Sequence, residues 1–187
     1  MTTEPTGFLY PFIESDESDV DALLIDLAES ARSKFAVSRQ LRAETLARLS
    51  DSLRRAGAEM ADRFQSGGKL LAFGNGGSAT DAESTVHLFR QPSSGRPLPA
   101  ISLVGDLAVV TALANDVGFD LVFSRQIIAH GRRGDIAVGF STSGDSVNVI
   151  RALEEADRRG LLTVGLSGYE GGAMASSPAV HYPLVVR

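Results

Sequence analysis

From residue 69 onward, short apolar runs alternate with stretches in which apolar residues recur at helical spacing. The runs at 69–73, 99–104, 135–140, 161–166 and 179–186 predict strands, and the segments near 79–90, 107–115, 119–130 and 146–159 predict helices. The strand runs are almost continuously apolar, as expected of strands covered on both faces. Strands alternating with helices imply right-handed βαβ units and a parallel sheet, an α/β class. Upstream the pattern is helical. Leu23, Leu24, Leu27 and Ala28 follow a start near Val20, with Ser18 or Asp19 as the cap. A second helix over about 40–66 puts Leu46, Leu49, Leu53, Met60 and Phe64 on one stripe and stops at Gly67 and Gly68. Gly57 interrupts that stripe at a cost of roughly 1 kcal/mol relative to alanine. Residues 1–18 hold two prolines, the apolar cluster Phe8, Leu9, Tyr10, Phe12 and Ile13, and then an acidic run. They read as an irregular arm whose apolar cluster packs on its own domain or on a neighbour.

Composition narrows the classes. The 187 residues suit one domain with a helical extension, and 43% apolar residues suffice for a sizeable core. No apolar run approaches the roughly 20 residues of a membrane span. The acidic N-terminus has no basic region followed by an apolar stretch, so a secretory signal is not expected. The chain has no cysteine, which excludes disulfide and thiolate chemistry and points to the cytoplasm. A net charge of −5 without a dense basic run argues against a nucleic-acid surface. Lys69, one of two lysines, sits at a strand start, a poor place for a Schiff base. The three histidines, His87, His130 and His181, lack metal-motif spacing, so neither a metal nor another cofactor is expected.

Two strand ends carry candidate chemistry, because ligands of open α/β sheets sit beyond the carboxyl ends of the strands. The first is Gly74-Asn75-Gly76-Gly77-Ser78, whose glycines let backbone N–H groups approach an anion at a helix start. It also fits the dinucleotide pattern through Ala79, and a plain tight turn remains open. The second is Ser141-Thr142-Ser143-Gly144-Asp145-Ser146. Four hydroxyls, a glycine and a helix start can surround a phosphate without metal or lysine. A serine-rich helix cap is the alternative, but one cap needs only one hydroxyl. The loop is neither a P-loop nor a nucleophile elbow. Asp106 could act as the acidic residue of a dinucleotide site, yet that fingerprint has no need of a second hydroxyl-rich loop.

"GNGGSATDA", "ANDVGFDLVFSRQI", "GDIAVGFSTSGDSVNVIRAL" and "GLSGYEGGAMA" resemble the sugar isomerase (SIS) domain, specifically its phosphoheptose isomerase branch, over roughly residues 20–186. The resemblance implies a three-layer, flavodoxin-like sandwich with a five-stranded parallel sheet. It makes residues 19–187 a single SIS domain, with a helical extension over 19–66 and an α/β core over 67–187. It also implies a homo-oligomer, a tetramer or dimer built by the helical extension, or an assembly with another chain. By motif match, Ser141, Thr142, Ser143 and Ser146 hold a sugar phosphate. Asn75, Gly76 and Ser78 line the sugar site, with Asp106 nearby.

The match has two departures. Aldose–ketose isomerisation moves a proton between neighbouring carbons through an enediol and needs a base and an acid. The family carries a His, then a Glu four residues on, along the helix behind the first loop. Those positions here are Ser84 and Leu88. Glu83 and His87 lie one residue earlier in reversed order, about 100° around the helix. They are the candidate acid/base pair, and a surface or interface ion pair is the reading preferred over it. Family members continue past the last strand into a helix with a catalytic His, and some bind zinc through it; this chain stops at "HYPLVVR". His181 reads as part of the last strand and His130 as a helix C-cap partner, so the zinc ligand positions are not retained. Asp81 and Asp106 are further candidates for the chemistry. The resemblance implies a sugar-phosphate-binding protein, either an isomerase acting on sedoheptulose 7-phosphate, completed if need be by a partner chain, or a non-catalytic module binding a sugar phosphate or a protein. Nucleotide binding at residues 74–79 is the third reading.

Overall fold

A computed structural model describes residues 20–187. The arm expected over residues 1–18, and the cap at Ser18 or Asp19, lie outside the described residues. The two helices expected upstream are one, α1, Val20–Gln65. The stretch between the expected pair, Phe35 to Gln40, contains neither proline nor glycine, so nothing in the backbone stops helix propagation. Two compact units divide within this helix, at Glu44 and Thr45. In the first, Val20, Leu24, Ile25, Leu27, Phe35 and Val37 are exposed.

The second unit alternates strand and helix: β1 (Leu70–Gly74), α2 (Gly77–Arg90), β2 (Ala100–Ser102), α3 (Leu107–Asp116), α4 (Val122–His130), β3 (Ile136–Ser141), α5 (Val147–Arg158), β4 (Leu162–Ser167), α6 (Gly172–Ser176) and β5 (Tyr182–Val185). All five strands are parallel in the order β2-β1-β3-β4-β5, the flavodoxin-like order. The last strand is shorter than expected, and His181 lies just before it. There its Nδ1 accepts from the Thr163 N–H and its Nε2 meets Asp157 at 2.9 Å. α4 closes through the backbone N–H of Gly131 on the Ile127 carbonyl.

Side chains alternate across the sheet, so each strand feeds two cores. Leu71 and Phe73 of β1 join Val122, Phe123 and Ile127 of α4 and Val149, Leu153 and Ala156 of α5. Leu70 and Ala72 face the other way, towards Phe64 of α1 and Ala82 and Val86 of α2. Two packed faces give the three layers, and full burial of each Leu, Ile or Phe contributes about 1.5–3 kcal/mol. At the amino ends of β1 and β3, Lys69 donates to the buried Asp135 at 2.6 Å, fixing the strand pair from below.

Candidate functional site

The carboxyl ends of three strands lie level. Gly74 pairs with Phe140, and Ser141 with Ser167. Between β1 and β3 the chain reverses its direction of travel across the sheet, and helices leave to opposite faces. Loops diverging there leave a crevice, the usual ligand position in such sheets. Both loops singled out in the sequence open into it.

The crevice has two joined parts. One, about 350 Å³, is lined by Asn75, Ser78, Phe140, Ser141, Thr142, Ser143, Ser146 and Tyr169. The other, about 410 Å³, continues along α2 past Asp81, Ser84, Thr85 and Leu88, with Ser167, Gly168 and Val186 opposite. Ser78, Phe140, Ser141 and Thr142 belong to both. Among the described residues no Lys, Arg or His lines either part, and Asp81 is the one carboxylate.

The hydroxyl-rich loop is held by its own atoms. The Ser141 hydroxyl donates to that of Ser146 at 2.9 Å and accepts from the Gly144 N–H at 3.1 Å. The Ser143 hydroxyl accepts from the Asp145 N–H. Ser146 is the N-cap residue of α5 by position, but its hydroxyl makes no capping bond. The hydroxyls are therefore not there to cap the helix. Asp145 is turned away from the crevice instead, accepting from the Ala173 N–H at 2.8 Å. Gly144 has φ 75°, and a Cβ there would lie 1.9 Å from the Gly171 carbonyl, so only glycine fits.

The two loops are clamped to each other. Asn75 donates to the Asn148 side-chain carbonyl at 2.8 Å, and Asn148 donates back at 3.0 Å. A Cβ on Gly74 would fall 2.7 Å from the Ser78 carbonyl and 2.9 Å from that of Phe140, so a side chain would force the first loop off the second. α2 and α5 both begin at this crevice. Their dipoles and first-turn N–H groups favour an anion there even without a cationic side chain.

The remaining candidates are placed elsewhere. Gly76 forms the turn into α2, with φ 53°. Asp106 caps α3 by accepting from the Val109 N–H at 3.1 Å and does not line the crevice. Glu83 and His87 do not line it either. Glu83 accepts a 2.5 Å hydrogen bond from the Ser102 hydroxyl, which in turn accepts from the Val104 N–H. No ion pair joins Glu83 to His87 among the described residues; Glu83 binds α2 to the end of β2. The helical rotation explains this. Residues 81, 84, 85 and 88 form the stripe facing the crevice, and 83 and 87 lie on another.

The SIS domain family model matches residues 35–168. The chain belongs to the SIS domain family. It is 40% identical over 166 residues to a phosphoheptose isomerase of Citrifermentans bemidjiense, covering 88% of this chain and 83% of that protein. It is 46% identical over 140 residues to one from Geobacter, covering 74% and 72%. Solved phosphoheptose isomerase structures agree. That from Neisseria gonorrhoeae has a TM-score of 0.76 at 36% identity, covering 86% of this chain and 84% of that one. That from Francisella tularensis has 0.79 at 34%, covering 86% and 85%. These relatives place the chain in the phosphoheptose isomerase branch of the SIS family.

Ser84 and Leu88, where the resemblance implies a His and a Glu, offer a neutral hydroxyl and a hydrocarbon rather than imidazole or carboxylate. Among the described residues no group of three His, Cys, Asp or Glu could hold a metal ion. Sequence reading alone missed Asn148, Ser167 and Tyr169. Asn148 left one signal, an amide one residue into a helix whose neighbours Val149, Ala152 and Leu153 are apolar. Tyr169 follows the third strand end, whose "LSGYEGG" is as glycine-rich as the first loop.

Proposed function

We propose that this chain is a sugar-phosphate-binding SIS protein of the phosphoheptose isomerase type, taking sedoheptulose 7-phosphate as its substrate. The observation that carries this is the convergence of residues 74–78 and 141–146 in one crevice at the sheet's switch point, clamped through Asn75 and Asn148. The phosphate lies against Ser141, Thr142, Ser143 and Ser146 at the start of α5. The sugar extends past Asn75 and Ser78 along α2. Ketose-to-aldose conversion removes a proton from C1, passes through the enediol and returns a proton to C2. The carboxylate positioned for that transfer is Asp81, the only one lining the crevice among the described residues.

A second reading has its own support. Ser84 and Leu88 face the crevice where the family carries its His and Glu, which suits a module that binds the sugar phosphate without converting it. Incubation with sedoheptulose 7-phosphate, followed by NMR, separates the two. The isomerase reading requires an aldose signal that Asp81→Asn abolishes while binding persists. Binding without any aldose at high protein concentration leaves the non-catalytic module, and no binding at all overturns both.

The proposal places the protein in the cytoplasm as an oligomer, homomeric or completed by another chain. The exposed apolar residues of α1 support an oligomer, and native mass measurement tests it. Among the described residues no helix is long and apolar enough to cross a membrane.

A further inference from the structure

Tyr169 is the only non-glycine residue with positive φ among the described residues, at 50°. It occupies the first central position of the turn 168–171, closed by the Gly171 N–H on the Gly168 carbonyl at 3.0 Å. A first central turn position with positive φ is ordinarily taken by glycine. A bulky aromatic therefore holds a backbone position that glycine would fill without strain. The turn cannot easily relax. The Gly168 N–H donates to the Thr142 carbonyl at 2.9 Å, and Gly171 is pressed against Gly144. Both ends are thus fastened to the hydroxyl-rich loop.

Tyr169 is 72% exposed, yet it lines the crevice together with Asn75, Ser141, Thr142, Ser143 and Ser146. Folding alone gains little from it there. We propose that Tyr169 determines ligand specificity, covering the sugar of a bound sugar phosphate with its ring face and reaching its hydroxyls with the phenol. This rests on the sugar-phosphate reading given above. An aromatic plate offers an apolar face to the sugar C–H groups and a polar tip to its hydroxyls. Inorganic phosphate, held at the loop below, has nothing to place against the ring.

The test compares wild type with Tyr169→Gly, Tyr169→Ala and Tyr169→Phe. Each is melted alone and titrated calorimetrically with sedoheptulose 7-phosphate and with inorganic phosphate. Tyr169→Gly is expected to melt about 2–4 °C higher, because the strain is relieved. It should bind the sugar phosphate about tenfold more weakly, and inorganic phosphate within about twofold of wild type. Tyr169→Ala should lose the same sugar-phosphate affinity without the higher melting temperature, and Tyr169→Phe should retain most of it. A purely structural tyrosine would move melting but not the ratio of the two affinities. An unchanged ratio in Tyr169→Gly overturns the role of Tyr169 and leaves the crevice standing as a sugar-phosphate site. Failure of wild type to bind sedoheptulose 7-phosphate overturns both.

Discussion

The two ends of the crevice are built differently. At the β3 end, the loop is fixed by bonds that leave it almost no freedom: Ser141 to Ser146, Gly144 to Ser141, and the Asn75–Asn148 pair across to the other loop. At the α2 end, Asp81, Ser84, Thr85 and Leu88 line the wall from a helix that would form with almost any side chains at those places. Binding geometry is therefore written into the backbone and its glycines, where change costs stability. Chemistry is written into side chains on a helix surface, where change costs the fold little. A chain can therefore keep the hydroxyl-rich loop intact while the α2 wall carries side chains such as Ser84 and Leu88.

Substitutions can break or sharpen this contrast. Gly144→Ala strikes the rigid end directly, since its Cβ would overlap the Gly171 carbonyl at positive φ. It should lower stability by about 3 kcal/mol in urea unfolding and abolish phosphate binding. Retained stability would show that the β3 end is less rigid than its hydrogen bonds imply. Asn148→Ala removes the clamp and strands the Asn75 amide, so stability should fall by about 2 kcal/mol. Sugar-phosphate affinity should fall with it, read by calorimetry.

Ser143→Ala and Ser84→Ala compare the two ends with one chemistry. Loss of the Ser143 hydroxyl should weaken sugar-phosphate binding about tenfold, while Ser84→Ala stays within about twofold. Equal losses in the two titrations would abolish the distinction.

The smallest effect lies away from the crevice. Burial pushes the Glu155 carboxyl up, but hydrogen bonds and charge from Arg158 and Arg159 outweigh it and hold the group below its usual range. A depressed carboxylate stabilises the fold above its unfolded pKa, and that contribution disappears as pH falls through the folded value. Glu155→Gln should flatten the acid side of the stability profile by less than about 1 kcal/mol without altering binding.

Much of the crevice was legible beforehand, and what was hidden has a common cause. The strand ends at Gly74 and Ser141 follow from apolar runs broken by glycine and hydroxyls, which are local signals. The one-residue offset of Glu83 and His87 from Ser84 and Leu88 was also a local signal, and the structure puts Ser84 and Leu88, not Glu83 and His87, along the crevice. What each residue touches was not local. Glu83 bonds Ser102 and Asn148 bonds Asn75, and both partners arrive from distant parts of the chain. Asp106 looked like a ligand residue because a carboxylate after a strand serves equally well as a cap. The continuity of α1 is not visible in two separately read apolar stripes, although the backbone between them, Phe35 to Gln40, has no residue that would stop a helix.

The sequence by itself determined the alternation of strands and helices, the two loops at the strand ends and the family, because periodicity, glycine and hydroxyl clustering act over a few residues. Only the tertiary structure decided that β1 and β3 would be neighbours, that two asparagines 73 residues apart would lock the loops together, and that Tyr169 would line the crevice with them. Strand order and side-chain pairing are settled by which apolar faces can be buried together, and that is a property of the whole chain.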